Sequence, residues 1–362
     1  ALNKQRSFNV MNSENNVSRQ GFSPDNELDI RGLCCALWSG KRWIIGFALL
    51  FALIALGASY LMQPKWSAIA MTERPTVNNL GSYYSQSQFL RNLDTQINPS
   101  VTVSQLSIPD EAYQEFVTQI SAFDTRREFW LQTDYYKQRK ENDAQADAAL
   151  LDELINNIQF TPADEKKLVN DQLKLIAETA NDSSQLLNEY IAFANKRAAE
   201  HLNEEVIAAW ATRTQSMKAL VKRQEMAAQA AYQRQINLLK QSIKVAEKQG
   251  ISQKQTSIAI DELPDSKLFL LGVPLLQSQL ETLMATGPDF DSDYDQNTAM
   301  LSTLAVGAKL QDNFQTYRFL RTPEDPVKRD SPRRAFMMVL WGAIGVLVGA
   351  GVALVRRSSL KK

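Results

Sequence analysis

The sequence predicts an α+β membrane protein in which two transmembrane helices flank an exported domain with a small membrane-proximal mixed sheet and a very long projecting helix. Three observations lead to this prediction. Two uncharged apolar runs stand near the two ends of the chain, at residues 43–62 and 335–355. The residues between them are mostly polar, and residues 163–249 contain neither Gly nor Pro.

Both apolar runs have the length of a membrane span. A helix crosses the hydrocarbon core with about 20 residues, at about 1.5 Å per residue. A cleaved signal peptide is the alternative for residues 43–62, but its apolar segment is shorter and lies closer to the N-terminus. A buried core helix is the alternative for residues 335–355, but arginine pairs bracket this run at 333–334 and 356–357. We therefore predict two transmembrane helices.

Basic residues favour a cytoplasmic N-terminus. Those ahead of the first span are Lys4, Arg6, Arg19, Arg31, Lys41 and Arg42, whereas only Lys65 and Arg74 follow it closely. This asymmetry places the N-terminus inside, and two spans return the C-terminus to the same side. Residues 63–334 are then exported. The two cysteines, Cys34 and Cys35, lie on the cytoplasmic side, so the exported domain has no thiol to oxidise.

The predicted cytoplasmic segments are short. Residues 1–26 are rich in Asn, Ser and Gln, which predicts a disordered tail. Residues 27–42 form a juxtamembrane segment, and its apolar side chains recur at near-helical spacing, which fits a short interfacial helix. Residues 356–362 form a second cytoplasmic tail.

Short apolar segments that end at Gly or Pro, or near one, predict the strands of the sheet. These segments are residues 66–72, 155–161, 267–271 and 316–321. The first and the last of them adjoin the two spans in sequence. The chain order therefore places a small mixed sheet next to the membrane.

The segments between these strands have a helical pattern. Residues 112–140 and residues 146–154 contain neither Gly nor Pro and are predicted to be helical. In residues 163–249, the side chains of Asn181, Asp182 and Ser183 offer N-caps, and Gly250 offers a C-terminal stop. We therefore predict one long helix at about residues 182–249.

This long helix determines the predicted assembly. A continuous helix of this length would be about 100 Å long and must project from the sheet, so residues 275–284 and 296–304 are expected to return beside it. Its apolar stripe runs from Leu187 to Ile243, consists mostly of alanine with a few large residues, and buries little by itself. We predict that other copies cover it, in a closed homo-oligomer of more than four copies. A long hairpin that is stable alone is the alternative.

Composition gives no sign of a charged ligand or a nucleotide. Lys plus Arg and Asp plus Glu are 40 each, so no long-range field gathers nucleic acid. No Gly-x4-Gly-Lys-Ser/Thr phosphate loop occurs. The single histidine, His201, has no cysteine near it and is interpreted as a partly exposed helix residue. The sequence therefore predicts no cofactor and no metal site.

Carboxylate groups also give no catalytic site. The pair Glu204 and Glu205, and the loop acids Asp291, Asp293 and Asp295, are interpreted as solvated charges rather than glycosidase acids. The loop also fails as a calcium site, because it lacks the glycine at position six and the glutamate at position twelve. We predict no catalytic residue and a protein that is not an enzyme.

The second span carries the candidate site. One side of this helix lacks bulky side chains at four glycines, Gly342, Gly345, Gly349 and Gly351. Of these, Gly345 and Gly349 form a small-xxx-small pattern that lets helix backbones approach closely. We predict a transmembrane contact face there. The segment before the span contains three prolines, Pro323, Pro326 and Pro332, which force an extended and stiff entry into the membrane.

These features resemble one family. The two-span layout, the proline-rich segment 321–335 and the glycine-bearing second span are similar to the Wzz polysaccharide co-polymerases, inner-membrane proteins that set the chain length of lipid-linked bacterial polysaccharides. Further blocks are similar in particular to the branch that regulates enterobacterial common antigen. They are residues 27–33, 74–78, 83–86, 124–136 and 293–297. The resemblance covers nearly the whole chain from residue 27.

The resemblance implies a function. It implies an inner-membrane protein with both termini cytoplasmic, a periplasmic α/β domain at residues 63–334, and a ring of identical subunits, about eight. It also implies partnership with the enterobacterial common antigen polymerase and the flippase, and contact with undecaprenyl-linked polysaccharide. The glycine face would then meet a neighbouring subunit's span or the polymerase. The expected function is non-enzymatic regulation of polysaccharide chain length.

Three other functions stay open at this point. A periplasmic adaptor or scaffold of an envelope transport complex also has a long helical hairpin, although such adaptors usually have one anchor. A glycan hydrolase would need a protected acid pair. A chain-length regulator of O-antigen would share the same architecture.

Overall fold

The structure is a computed structural model that describes residues 37–100 and 106–359. It divides into a membrane unit, which contains the described residues up to Gln63 and from Ser331 onward, and a domain at Pro64–Asp330. The predicted disordered tail at residues 1–26 lies outside the described residues, as does most of the juxtamembrane segment at 27–42.

The elements are numbered in chain order. The α-helices are α1 Lys41–Leu61, α2 Val77–Leu80, α3 Ser82–Ile97, α4 Ile108–Ser121, α5 Phe123–Gln132, α6 Asp134–Arg139, α7 Ala144–Asn156, α8 Ala180–Gln249, α9 Val273–Thr286, α10 Ser292–Ala305 and α11 Arg334–Ser359. The strands are β1 Trp66–Glu73, β2 Ile158–Thr161, β3 Asp171–Ala177 and β4 Arg318–Arg321.

Both predicted spans are helices of the required length and apolarity. In the described chain, Lys41–Leu61 and Arg334–Arg356 have mean hydropathies of 2.4 and 2.3 over their most apolar windows. Neither helix carries an acidic residue in its first turn, and most of their side chains are exposed in the membrane unit. Exposed apolar helices of this length are typical of segments that span a lipid bilayer.

The sheet has the order β2-β3-β1-β4, and all of its paired strands are antiparallel. The prediction of a mixed sheet was therefore wrong. One predicted strand, residues 267–271, belongs instead to a 3-10 helix at Asp265–Leu271, where Leu268 and Leu271 are buried three residues apart. That spacing matches the period of a 3-10 helix and not the period of a strand.

Strand β3 lies in the Gly- and Pro-free stretch before the predicted long helix, where no strand was predicted. In it, Leu173, Leu175 and Ala177 are buried, while Lys174 lies on the opposite face. This alternation has the period of two that places side chains on both faces of a sheet. The absence of Gly and Pro hid the strand, because the turn that joins β2 to β3 uses Leu168 in the left-handed conformation, with φ 54°, instead of a glycine.

The predicted helical segment at residues 112–140 is three helices, α4, α5 and α6. The chain becomes extended at Ala122, with ψ 133°, and at Thr133, with ψ 144°. The Thr133 side chain then accepts a hydrogen bond from the N–H of Tyr136 and caps α6. These bends direct Phe116 and Trp130 into one core, which a single straight helix could not do.

Helix α8 confirms the predicted long helix. It has 70 residues and is therefore roughly 105 Å long. Its N-cap is Thr179, whose hydroxyl accepts a hydrogen bond from Asp182 N at 3.0 Å, and not one of the predicted residues 181–183. Gly250 ends the helix with φ 68°, as predicted.

One face of α8 is buried by the chain itself. Buried residues extend from Ser183 to Val221 and again from Ile236 to Ala246. The sheet, α3, α4 and α10 cover the first part, and α9 covers the second. The predicted return of the chain is therefore confirmed. The chain covers more of the stripe than the returning segments alone would, because the helices before α8 pack on it too, but residues 222–235 stay unburied.

The returning loop depends on polar side chains of α8. Asn195 donates from Nδ2 to Phe314 O at 3.0 Å, Asn203 donates to Gln311 O at 2.9 Å, and Trp210 Nε1 donates to Leu304 O at 2.9 Å. The carbonyls of Phe314 and Gln311 lie in a segment that lacks regular structure, and that of Leu304 lies in the last turn of α10, so none of them has to remain unpaired. Deeper in the core, Tyr190 donates to Ile120 O at 2.6 Å, and burial raises the pKa of Tyr190.

Two substitutions test the faces of β3. We expect Leu175→Ala to lower the free energy of unfolding by about 2–5 kcal/mol, because it leaves a cavity in the core. Lys174→Ala, on the other face, is the control and should change it by less than about 0.5 kcal/mol. Urea unfolding of the detergent-solubilised chain, followed by circular dichroism, measures both. Equal effects would contradict the strand register.

Candidate functional site

The candidate site is the contact between α1 and α11 in the membrane unit. At Gly345, a Cβ atom would lie 2.6 Å from Phe47 O and 2.9 Å from Ala48 Cα. At Gly349, a Cβ atom would lie 2.7 Å from Ile44 Cα. The obstructing atoms belong to backbone and cannot rotate away. Both positions therefore require glycine, and the two helix backbones are in direct contact there.

The other two glycines of the predicted face differ from this pair. A Cβ atom on Gly342 would lie 4.0 Å from Ala48 O, which is an ordinary contact, and one on Gly351 would meet nothing within 4 Å. Gly351 lies elsewhere because two residues along a helix turn the side chain by about 200°. In the membrane unit, the glycine pair meets the first span of the same chain. A contact with a neighbouring subunit or a polymerase stays a prediction.

The sequence interpretation missed the opposing face on α1. Ala48 contacts Gly345, and Ala55, seven residues further along, is buried on the same side of α1. Residues seven apart lie almost above one another, two turns along a helix. The signal was available in the sequence as small residues at this spacing, but it was hidden in a span that is rich in alanine.

Aromatic contacts set the register of the helix pair. Arg334 lies 3.9 Å from the ring centroid of Tyr60, and Arg356 lies 5.3 Å from that of Trp43. Each is a cation–π contact, and the two lie at opposite ends of the pair. The start of α11 contacts the end of α1, and the end of α11 contacts the start of α1, so the two helices are antiparallel.

The segment that carries the predicted prolines is neither helix nor strand from residue 322 to residue 330. In the domain, Pro323 is buried, and the carboxylate of Asp325 accepts a hydrogen bond from Ser184 on α8. Asp330 N donates to Lys65 O at 2.9 Å. Pro326 is half-buried, and Pro332, which belongs to the membrane unit, is buried. That this segment acts as a stiff entry stays a prediction.

The histidine and two of the acidic residues considered in the sequence, Glu205 and Asp291, have structural contacts. His201 Nδ1 lies 3.2 Å from Glu115 Oε1 on α4, and its Nε2 lies 3.9 Å from Glu205 Oε1. Asp291 caps α10 by accepting from Tyr294 N at 2.8 Å. Across the described ranges, no three His, Cys, Asp or Glu residues are grouped so as to hold a metal ion.

Ion pairs instead join helices of the domain. Arg213 on α8 binds Asp94 on α3 through two hydrogen bonds, of 3.0 Å from Nε and 2.6 Å from Nη2. Arg139 binds Glu178 in the same two-bond manner, at 3.2 Å and 2.9 Å. Because Arg213 donates these hydrogen bonds to the Asp94 carboxylate, the pKa of Arg213 is raised and this cation stays charged. These pairs hold elements of the domain together.

Comparison with known proteins gives relatives over the whole chain. The family model described as "Wzz: Chain length determinant protein" matches residues 26–122. The "ECA polysaccharide chain length modulation protein" of Salmonella typhimurium LT2 is 61% identical over 341 residues, which cover 94% of this chain and 98% of that relative. The protein of the same name from Escherichia coli K12 is 61% identical over 335 residues, covering 92% and 96%. A "Chain length determinant protein" of Escherichia coli O111:H- is 24% identical over 347 residues, covering 96% of each.

Solved structures share the fold. A "full-length bacterial polysaccharide co-polymerase" has a TM-score of 0.68 and 20% identity, and the match covers 92% of this chain and 99% of that one. The wild-type lipopolysaccharide O-antigen chain-length regulator of Shigella flexneri has a TM-score of 0.55 and 17% identity, covering 73% and 100%. The arrangement of the domain is therefore that of the co-polymerases.

A double substitution tests the glycine pair. Gly345→Ala with Gly349→Ala should force α1 and α11 apart, because each new methyl group meets backbone well inside the usual contact distance of about 3.5–4.0 Å. We expect normal abundance in the membrane, since alanine does not impair insertion, and a shortened or lost preferred polysaccharide length.

The matched control is Gly46→Ala with Gly351→Ala. A Cβ atom at either position meets nothing within 4 Å, so the same chemical change should leave the length distribution as it is. Gel profiles of the polysaccharide and immunoblots of the membrane measure both variants. A wild-type profile from the Gly345 and Gly349 variant would show that the close contact has no role in function.

Proposed function

The chain belongs to the Wzz family of chain length determinant proteins, and we propose from this premise that it regulates the chain length of enterobacterial common antigen. The observation that carries the proposal is the 61% identity to proteins named for that activity. The identity extends over 92–94% of this chain. The O-antigen alternative is weaker, because a relative named only as a chain length determinant is 24% identical.

The regulator that we propose makes and breaks no bond in the polysaccharide. Among the charged groups described above, Arg213 pairs with Asp94, Arg139 pairs with Glu178, and Asp291 caps α10. A glycosidase needs two carboxyl groups about 5–9 Å apart that face one sugar ring in a cleft. The domain instead offers long helical surfaces, which suit binding and organisation of a polymer or a polymerase.

We place the chain in the inner membrane, with both termini in the cytoplasm and the domain in the periplasm. The antiparallel α1 and α11 support a two-span anchor, and the basic residues ahead of α1 support its orientation. Its partners in this proposal are the enterobacterial common antigen polymerase, the flippase and the undecaprenyl-linked polysaccharide.

We also propose that the chain forms a homo-oligomeric ring. A groove of about 750 Å³ lies between α8 and α10 and is lined in part by Ile207, Trp210 and Leu304. Ile207 on α8 is 54% exposed, and Val306, just beyond α10, is exposed as well. Aliphatic side chains of this kind, exposed beside a groove, are typical of a protein contact. A neighbouring copy would remove them from water.

The oligomer can be measured directly. Light scattering of the detergent-solubilised chain should give a closed assembly of more than four copies, and about eight if the family resemblance holds. Ile207→Glu with Val306→Glu should reduce the assembly, because a contact would bury unpaired charges. Met284→Glu is the control, since Met284 is 55% exposed, lies outside that groove and should keep the size. A monomer or dimer in every mild detergent would contradict the ring.

Activity assays separate a regulator from an enzyme. In a strain that lacks its own regulator of enterobacterial common antigen, this chain should restore a preferred chain length. The purified protein, incubated with lipid-linked oligosaccharide, should leave the ladder of lengths unchanged, because the regulator that we propose does not hydrolyse glycosidic bonds. Turnover by the pure protein would refute the non-enzymatic mechanism.

A further inference from the structure

Helix α8 is open in its middle. Its residues are buried as far as Val221 and again from Ile236, but none is buried from residue 222 to residue 235. Here the returning chain turns at Gly287, with φ +77°, between α9 and α10. A groove of about 620 Å³ lies at this level, and α8 and the start of α10 form its walls. We call it the mid-helix groove.

The mid-helix groove contains a fixed aromatic surface. Phe290 and Tyr294 stack with their ring centroids 4.3 Å apart and their planes at 21°. Tyr294 Oη lies 3.2 Å from Glu225 Oε1 and donates to it, and Asp291 caps the backbone N–H of Tyr294. Asn297 Nδ2 donates to Gln224 Oε1 at 3.1 Å and joins α10 to α8 just beyond. The rings are therefore positioned before any ligand binds.

Phe290 is nevertheless 39% exposed, although it lies against its neighbour. Met226, on the α8 side of the groove, is 64% exposed. Two glutamine side chains, Gln229 and Gln233, line the same wall about one helical turn apart. The groove thus combines an accessible aromatic face with planar amides that can both donate and accept hydrogen bonds.

This combination fits a pyranose ring. One face of such a sugar presents C–H groups that can lie on an aromatic ring, and its edge presents hydroxyl groups that pair with amides. The groove beside Ile207, by contrast, exposes mainly aliphatic side chains. The pairing of an aromatic face with two amides favours a saccharide at the mid-helix groove.

Charge restricts the sugar further. Lys222 is the one cation among the described residues that line the groove, and its Nζ lies 3.4 Å from Glu225 Oε2. Four carboxylates lie in the adjoining loop and the first turn of α10, at Asp289, Asp291, Asp293 and Asp295. The local excess of negative charge disfavours an acidic sugar.

We propose that the mid-helix groove is a saccharide-binding subsite that takes an uncharged sugar residue of the growing polymer. The proposal rests on the proposed function and names the place where the polymer contacts the protein. The sugar stacks on Phe290, and the amides of Gln229 and Gln233 bind its hydroxyl groups.

Binding by the full chain tests the subsite. The probe is water-soluble enterobacterial common antigen polysaccharide, titrated into the protein in a detergent without a sugar headgroup and followed by saturation-transfer NMR and calorimetry. Phe290→Ala should weaken binding by about tenfold, because it removes the stacking face. Phe290→Trp should retain binding. Phe123→Ala is the matched control, since Phe123 is 56% exposed and lies on α5, outside the groove.

Each other outcome overturns the proposal. Wild-type affinity in Phe290→Ala, or no binding by the wild-type chain, removes the subsite. A changed subunit number in Phe290→Ala, measured by light scattering, would assign the groove to a protein contact. If Phe290→Ala does not fold, Gln229→Ala with Gln233→Ala must weaken binding instead, and unchanged affinity there also refutes the subsite.

Failure of the subsite can be distinguished from failure of the function. The wild-type chain in a strain without its own regulator tests the function alone. If that chain restores a preferred length while Phe290→Ala binds the polymer normally, only the subsite is wrong. If the wild-type chain restores nothing, the function itself is wrong, whatever the binding result.

Discussion

The burial of one face of α8 is the interaction on which the rest of the domain depends. A helix of 70 residues gains little from its own apolar stripe, so its stability comes from tertiary packing. Elements from both sides of α8 in sequence supply that packing. The sheet and α4 cover its start, α3 and α10 cover the next part, and α9 covers its far end.

Side chains of α8 also allow the returning chain to be irregular. A loop that is packed against a helix must pair its backbone groups, and Asn195 and Asn203 supply partners, while Trp210 binds a carbonyl at the end of α10. Strands, helices and loops of the domain thus all pack on helix α8. Its middle is the part left uncovered, and there the surface becomes aromatic and polar instead of aliphatic.

The membrane unit follows a different physical rule. Lipid gives no hydrophobic gain when two helices associate, so close backbone packing has to supply the attraction. Gly345 and Gly349 allow that approach, and Arg334 and Arg356 secure the two ends through aromatic rings. Within one chain, the face of α11 that carries Gly345 and Gly349 is covered by α1. The outward apolar side chains, such as Leu53 and Leu347, face lipid or another protein.

The sequence by itself determined the two spans, the long helix with its stop at Gly250, and the return of the chain beside it. Each depends on local pattern: apolar length, period of 3.6 residues and a glycine C-cap. The family followed from long blocks of specific sequence. Tertiary structure decided what local pattern leaves open. It made β3 a strand, because Leu173 and Leu175 pack on the core, and it made residues 267–271 a 3-10 helix. It also decided which glycines touch another helix, and that this helix is α1 of the same chain, since the contact depends on how two distant segments align and no single segment encodes that alignment.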